Sequence, residues 1–141
     1  GLYSISAAGV VSLLVADFDR PNGLVFSPDE KSLFVADTTK NHIRVFEVST
    51  DGKLSAGKVH CDVPTPDGIR VDVSGNIWAT SGLGIVVVSP SGERLQTIPF
   101  PQIPANCAFG DEDSKTLYVT ARTGVYKVRV KDAGLRPGSK G

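Results

Sequence analysis

Apolar residues fall in short runs along this chain, and Gly, Ser, Asn and Asp separate the runs. Between residues 64 and 100 the runs read "GIRVDV", "NIWATS", "GIVVVSP" and "RLQTIPF", with "SGN", "SGLG" and "SPSGE" around the breaks. Short runs rich in Val, Ile and aromatics, joined by such turns, predict antiparallel strands in hairpins. No segment repeats apolar residues at i, i+3, i+4 and i+7 for three turns, so helices are expected to be nearly absent.

The pattern recurs. "GLYSISA", "HIRVFEV", "GIVVVSP" and "GVYKVRV" begin at Gly1, His42, Gly84 and Gly124, which are 41, 42 and 40 residues apart. Phe34, Trp78 and Tyr118 each stand second in a short apolar strand, 44 and 40 residues apart. Four antiparallel strands per period of about 40 residues are the signature of propeller blades, so the predicted fold is all-β. The expected layout is a partial blade at 1–16, full blades at 17–63 and 64–100, a partial blade at 105–130 and a loose tail at 131–141. That is thirteen strands, about three blades, where closure takes roughly four to eight. Open edges and an uncovered apolar face are therefore expected, to be closed by a second copy or by the rest of a longer protein.

Composition narrows the class. At 40% hydrophobic and 21% charged, the 141 residues can bury a core. Fifteen basic side chains balance fifteen acidic ones, which gives no basic surface for nucleic acid or an anionic membrane. No apolar run approaches the roughly 18 residues of a membrane span. "GVVSLLVADF" is locally apolar but lacks the basic start of a signal peptide. The compartment stays open, with the cytoplasm favoured. No CxxC or nearby histidine around Cys61 and Cys107 suggests zinc, and both are expected to be buried free thiols, with a single bridge as the alternative.

One polar residue opens each unit: Asn22 in "PNGL", Asp67 in "PDGI" and Asn106 in "NCAFG", 45 and 39 residues apart. The first strand of a blade lines the central channel, so these openers would converge on the axis. An Asp carboxylate and an Asn amide oxygen are hard ligands suited to calcium, and an all-oxygen set leans away from zinc while leaving magnesium and manganese open. The same dipeptides, Asn-Gly and Asp-Gly, are also ordinary turn formers, and both readings stand at this point.

"RPNGLVFSPDEKSLFVADT", "PDGIRVDVSGNIWAT", "GIVVVSPSGERLQTIPFP" and "NCAFGDEDSKTLYVTA" together resemble the C-terminal half of the SMP-30/gluconolactonase (regucalcin-like) family, in order and spacing, from Gly1 to about Val130. The resemblance implies half of a six-bladed propeller, one divalent cation on the axis and lactone hydrolysis. Asn22 and Asp67 match family metal ligands, Asp67 also matches a candidate general base, and Asn106 matches a channel-lining position. The family's other ligands, a glutamate and an asparagine, belong to its N-terminal half. The implied mechanism is attack on a lactone carbonyl polarised by the cation, with Asp67 or a water it orients as base.

Remaining side chains take quieter roles. Arg70, on the channel strand, is a candidate contact for a substrate hydroxyl or carboxylate. Asp37 is read as structural, bonding backbone amides. His42 and His60 are expected at the surface, and Phe34, Trp78 and Tyr118 as wedges between blades. The competing function is a non-catalytic half-propeller that self-associates or binds a partner or small ligand. Two copies would bring 26 strands to a ring of 24, so one strand per chain would have to be displaced.

Overall fold

The turn signals do separate antiparallel strands. The computed structural model describes residues 1–136, and these hold thirteen strands and no helix. They are β1 (Leu2–Ile5), β2 (Val11–Val15), β3 (Pro21–Phe26), β4 (Ser32–Asp37), β5 (His42–Glu47), β6 (Lys58–Asp62), β7 (Ile69–Val71), β8 (Ile77–Ser81), β9 (Gly84–Val88), β10 (Arg94–Ile98), β11 (Pro104–Gly110), β12 (Thr116–Ala121) and β13 (Gly124–Arg129). They form four meandering sheets, β1-β2, β3-β4-β5-β6, β7-β8-β9-β10 and β11-β12-β13. The innermost strand β7 packs against β3 on one side and β11 on the other, which makes the sheets successive blades of a β-propeller.

One turn design joins many of these strands. Ser6, Ser49, Asp72 and Ser89 each accept at their carbonyl from the N–H of a glycine three residues on. Those glycines, Gly9, Gly52, Gly75 and Gly92, have φ of 79°, 79°, 84° and 92°, a region closed to most side chains. The first residue's side-chain oxygen then accepts from the backbone N–H beyond the glycine, as in Ser89 with Glu93 at 3.1 Å. The polar residue and the glycine together cap each hairpin.

The core lies between blades. Ile43, Val63, Ile69, Ile77, Val86 and Val88 fill the space between the two four-stranded sheets. Trp78, Ile85, Val87, Cys107, Leu117 and Val119 fill the next. Burying a Val or Ile contributes about 1.5–3 kcal/mol, so these two seams carry most of the cohesion. The β1-β2 sheet docks through Leu2, Val15 and Phe18 onto Leu33, Val35 and Phe46. Arg44 clamps that seam: its guanidinium lies 4.8 and 4.9 Å from the Phe18 and Phe46 rings and 2.7 Å from Asp17. The opposite face of β1-β2 pairs Tyr3 with Leu13 and Ile5 with Val11, and all four are exposed.

Three expectations need correction. Tyr118 is 36% exposed, because its face of β12 has no blade beyond it, and its hydroxyl donates to Asp111 at 2.8 Å. His42 and His60 are half-buried, each with Nε2 buried and without a protein partner. His60 stacks on Phe34 at 4.9 Å between centroids, and burial pushes its imidazole pKa down. The tail is docked over part of its length. Val73 N–H donates to Ala133, Gly134 N–H to Ser114 and Leu135 N–H to Val71, so the segment straps the turns at the far ends of β7 and β11. Residues 137–141 of the expected tail lie outside the described residues.

Candidate functional site

The inner strands are stitched to one another where their polar openers stand. Gly23 N–H donates to the carbonyl of Asp67 at 3.0 Å, and Gly68 N–H to the carbonyl of Ala105, beside Asn106, at 3.0 Å. Neither glycine has positive φ, so Asn22-Gly23 and Asp67-Gly68 are not turn dipeptides. They are glycines because blades touch there. A Cβ on Gly23 would sit 2.3 Å from the Asp67 carbonyl oxygen, and one on Gly68 would sit 2.3 Å from Asn106 Oδ1. With Gly23 N and Asp67 O at 3.0 Å, standard bond lengths put the Asn22 and Asp67 Cα atoms no more than about 8 Å apart.

Two oxygens are left over at this junction. Thr38 Oγ1 donates to the Pro66 carbonyl at 2.7 Å and accepts from Asn22 Nδ2 at 3.2 Å. That fixes the Asn22 amide and leaves its Oδ1 without a protein partner among the described residues. The half-buried Asp67 carboxylate likewise has no hydrogen bond or ion pair there. Hard anionic and amide oxygens, unpartnered on adjoining strands, fit a hard cation. The described residues hold no group of three or more His, Cys, Asp or Glu that could bind a metal. Asn22 Oδ1 and the Asp67 carboxylate are the two unpartnered oxygens that these adjoining strands present among the described residues.

Asn106 is placed differently. Its Oδ1 accepts from Cys107 N–H at 2.9 Å, which leaves Nδ2 as the free end of the amide. It sits with Ala108, Tyr118 and Thr120 on the outer face of the last sheet, while Cys107, Leu117 and Val119 face Trp78 across the seam. Arg70, level with Trp78 across β7-β8, reaches past the hub edge of β11 to that outer face. There it lines a cleft of about 210 Å³ with Asn106, Cys107, Ala108, Tyr118 and Thr120. Burial pushes the Cys107 thiol up to about 12 and Cys61 up to about 11, so both are protonated, inert and free, as expected.

Of the residues that position the openers, Asp37 bonds backbone amides as its sequence reading expects, whereas Thr38 and Thr80 escape that reading. Asp37 is wholly buried and accepts from the N–H groups of Asp19 (2.9 Å), Arg20 (3.1 Å) and Lys40 (3.2 Å). It thereby holds the segment leading to Asn22. Burial opposes its charge, but the three donors outweigh burial and keep its pKa below the usual carboxylate value. Thr80 Oγ1 donates toward the carbonyls of Gly68 (2.9 Å) and Ala105 (3.1 Å), doing for Asn106 what Thr38 does for Asp67. The two threonines follow their in-phase aromatics by different counts, Phe34 to Thr38 and Trp78 to Thr80. The register shift between Pro21 and Leu24 in β3-β4 accompanies the mismatch and hides the equivalence.

Known proteins share this sequence pattern and fold. The SMP-30/gluconolactonase/LRE-like region matches residues 1–123. The chain is 34% identical to a gluconolactonase of Zymomonas mobilis over 95% of its own length and 41% of the other's. It is 31% identical to regucalcin of Bos taurus, covering 88% of this chain and 45% of that one. The solved structure of a gluconolactonase from Xanthomonas campestris superposes with a TM-score of 0.82 at 34% identity, over 92% of this chain and 44% of that one. The chain spans less than half the length of each of these relatives. With its residues matched from Gly1 to Thr123, the chain belongs to the SMP-30/gluconolactonase/LRE-like family.

Proposed function

We propose that this chain supplies consecutive blades and part of the hub of a cation-dependent lactone hydrolase of the gluconolactonase type. The observation that carries the reading is the pair of unpartnered oxygens, Asn22 Oδ1 and the Asp67 carboxylate, on inner strands stitched to each other. Similarity to gluconolactonases supports the substrate class. Asn22 and Asp67 would hold one divalent cation, calcium first, with magnesium, manganese and zinc as the ions to compare. A bound cation supplies Lewis-acid polarisation of the lactone carbonyl. Asp67 takes the proton of the attacking water and returns it to the ring oxygen as the acyl C–O bond breaks. Asn106 and Arg70 contact the rest of the substrate.

A working hub needs a closed ring. The exposed apolar pairs Tyr3–Leu13 and Ile5–Val11 support further blades packing on β1-β2, from a second copy or from the rest of a longer chain. Mass in solution separates these sources: about twice 14.9 kDa supports closure by a second copy. Calcium titration with a lactone-opening assay then tests the activity. The expected result is calcium-dependent opening that falls by roughly a hundredfold or more in Asp67→Ala, with an unchanged β-sheet spectrum. Full activity in Asp67→Ala would remove Asp67 from the mechanism. A second reading, a non-catalytic half-propeller that self-associates or binds a partner or small ligand, is favoured by the junction presenting two unpartnered oxygens among the described residues, fewer than a cation needs. It stands if the closed assembly binds calcium or lactone and opens none.

A further inference from the structure

A side-chain amide can turn either end toward the hub, and the group facing its other end decides which. Asn22 and Asn106 are settled in opposite senses. Asn106 Oδ1 accepts from Cys107 N–H at 2.9 Å, and a backbone N–H can only donate, so Asn106 turns its Nδ2 end outward. At Asn22 the deciding group is the Thr38 hydroxyl, which has one hydrogen and two lone pairs. Thr38 Oγ1 gives that hydrogen to the Pro66 carbonyl, a pure acceptor, at 2.7 Å. A lone pair is what it then offers Asn22, so Nδ2 turns toward it at 3.2 Å and Oδ1 turns away. The opposite orientation would set two acceptors against each other.

Pro66 stands immediately before Asp67, so one hydroxyl touches both the Asn22 side chain and the peptide that carries Asp67. Thr38 is itself held, since its N–H donates to the Arg20 carbonyl at 3.0 Å and Asp37 bonds the N–H groups of Asp19 and Arg20. At the next seam Thr80 Oγ1 reaches the Ala105 carbonyl at 3.1 Å, one residue before Asn106, and Asp67 forms no bond to it. A carboxylate has an oxygen at either end and needs no such orientation, whereas an amide does.

We propose that Thr38 is a positioning residue of the hub: its hydroxyl sets the polarity of the Asn22 amide, so that Oδ1 and the Asp67 carboxylate face one cation together. This rests on the reading of the hub as a cation site. Thr38 acts through Asn22 and not on the substrate.

Calcium titration calorimetry of the closed assembly, without substrate, tests this. Thr38→Val keeps the shape, removes the hydroxyl and should weaken calcium binding by about tenfold or more, the usual cost of losing a group that orients a metal ligand. Thr38→Ala, which also lacks the hydroxyl, should match it, and Thr38→Ser should stay within about threefold of the parent. Asn22→Asp separates orientation from structure, because a carboxylate presents oxygen whichever way it turns. Thr38→Val should therefore cost about tenfold in the parent and less than about twofold in the Asn22→Asp background. A merely structural loss would be the same in both. Equal losses in the two backgrounds, or calcium binding unchanged in Thr38→Val, would overturn the assignment and leave the hydrolase reading standing. No calcium binding by the parent would overturn both. If calcium binding follows the expected pattern and the parent opens no lactone, the positioning role stands and the hydrolase reading falls.

Discussion

The middle blade and the last sheet begin from nearly the same text and end in different environments. "IWATS" and "GIVVV" form β8 and β9, and every residue in them is buried. "TLYVTA" and "GVYKVR" form β12 and β13, where Tyr118, Thr120, Val125, Lys127 and Arg129 reach solvent. The middle blade has a sheet on each face. The last one has a neighbour on one face only, and its strand alternates accordingly, with Lys127 where β9 has Val87. A strand's own residues set its pleat and hydrogen bonds, while the number of sheets stacked on it sets its burial.

The contrast can be broken by deleting methyl groups on either side of it. Ile85 is fully buried among Trp78, Val87 and Leu117, whereas Val125 is 74% exposed. Ile85→Ala should destabilise by about 2–4 kcal/mol in urea unfolding, and Val125→Ala by less than about 0.5 kcal/mol. A large cost at Val125 would mean that the outer face of β13 is covered in the assembled protein.

Adding a methyl at the stitches sharpens the same comparison. The neighbours of a Cβ on Gly23 are all backbone: the Asp67 oxygen at 2.3 Å, Ile69 N at 2.8 Å and Gly68 Cα at 3.0 Å. On Gly68 the two nearest atoms belong to the Asn106 side chain, which can turn away at the exposed sheet, and one backbone atom, Asn106 Cα at 2.9 Å, stays in place. Gly23→Ala should therefore cost about 2–3 kcal/mol and Gly68→Ala about 1 kcal/mol, measured by thermal unfolding. Gly68→Ala should also displace the Asn106 amide, visible as a shift of its side-chain NH₂ resonances. Equal costs would place the rigidity of the junction in both blades alike.

Much of this architecture is legible in the sequence for a plain reason. Period-two patterning and Ser/Asp-x-x-Gly turns are local, and each hairpin obeys them on its own. The openers are legible too, because Asn22, Asp67 and Asn106 recur with the blade. What the openers do is not. Asn-Gly and Asp-Gly look like turns until the neighbouring inner strand is brought to within 3.0 Å of the glycine nitrogen. Tyr118 holds the same place in its strand as Trp78, yet its exposure depends on what lies beyond β12. The docked Ala133–Leu135 strap has no apolar rhythm, because backbone bonds to Val71, Val73 and Ser114 hold it. Asp37 is legible as a backbone-bonding carboxylate, but Thr80 acts through the carbonyls of Gly68 and Ala105, far away in sequence, and no spacing announces it.

The smallest difference lies between two threonines at matching places. Thr80 is wholly buried in the middle blade and reaches two carbonyls, while the exposed Thr120 reaches one at 3.3 Å. Valine keeps the shape of threonine and removes the hydroxyl. The carbonyls that Thr80 serves hold other bonds, since Gly68 O accepts from Thr80 N–H and Ala105 O from Gly68 N–H. Thr80→Val therefore strands no acceptor and should cost only about 1 kcal/mol, the net worth of one buried hydrogen bond. Thr120→Val should leave the urea midpoint unchanged, because water replaces its weak bond. A cost at Thr120 equal to that at Thr80 would show that the hydroxyl stitches act independently of burial, and the contrast between the two sheets would then rest on apolar packing alone.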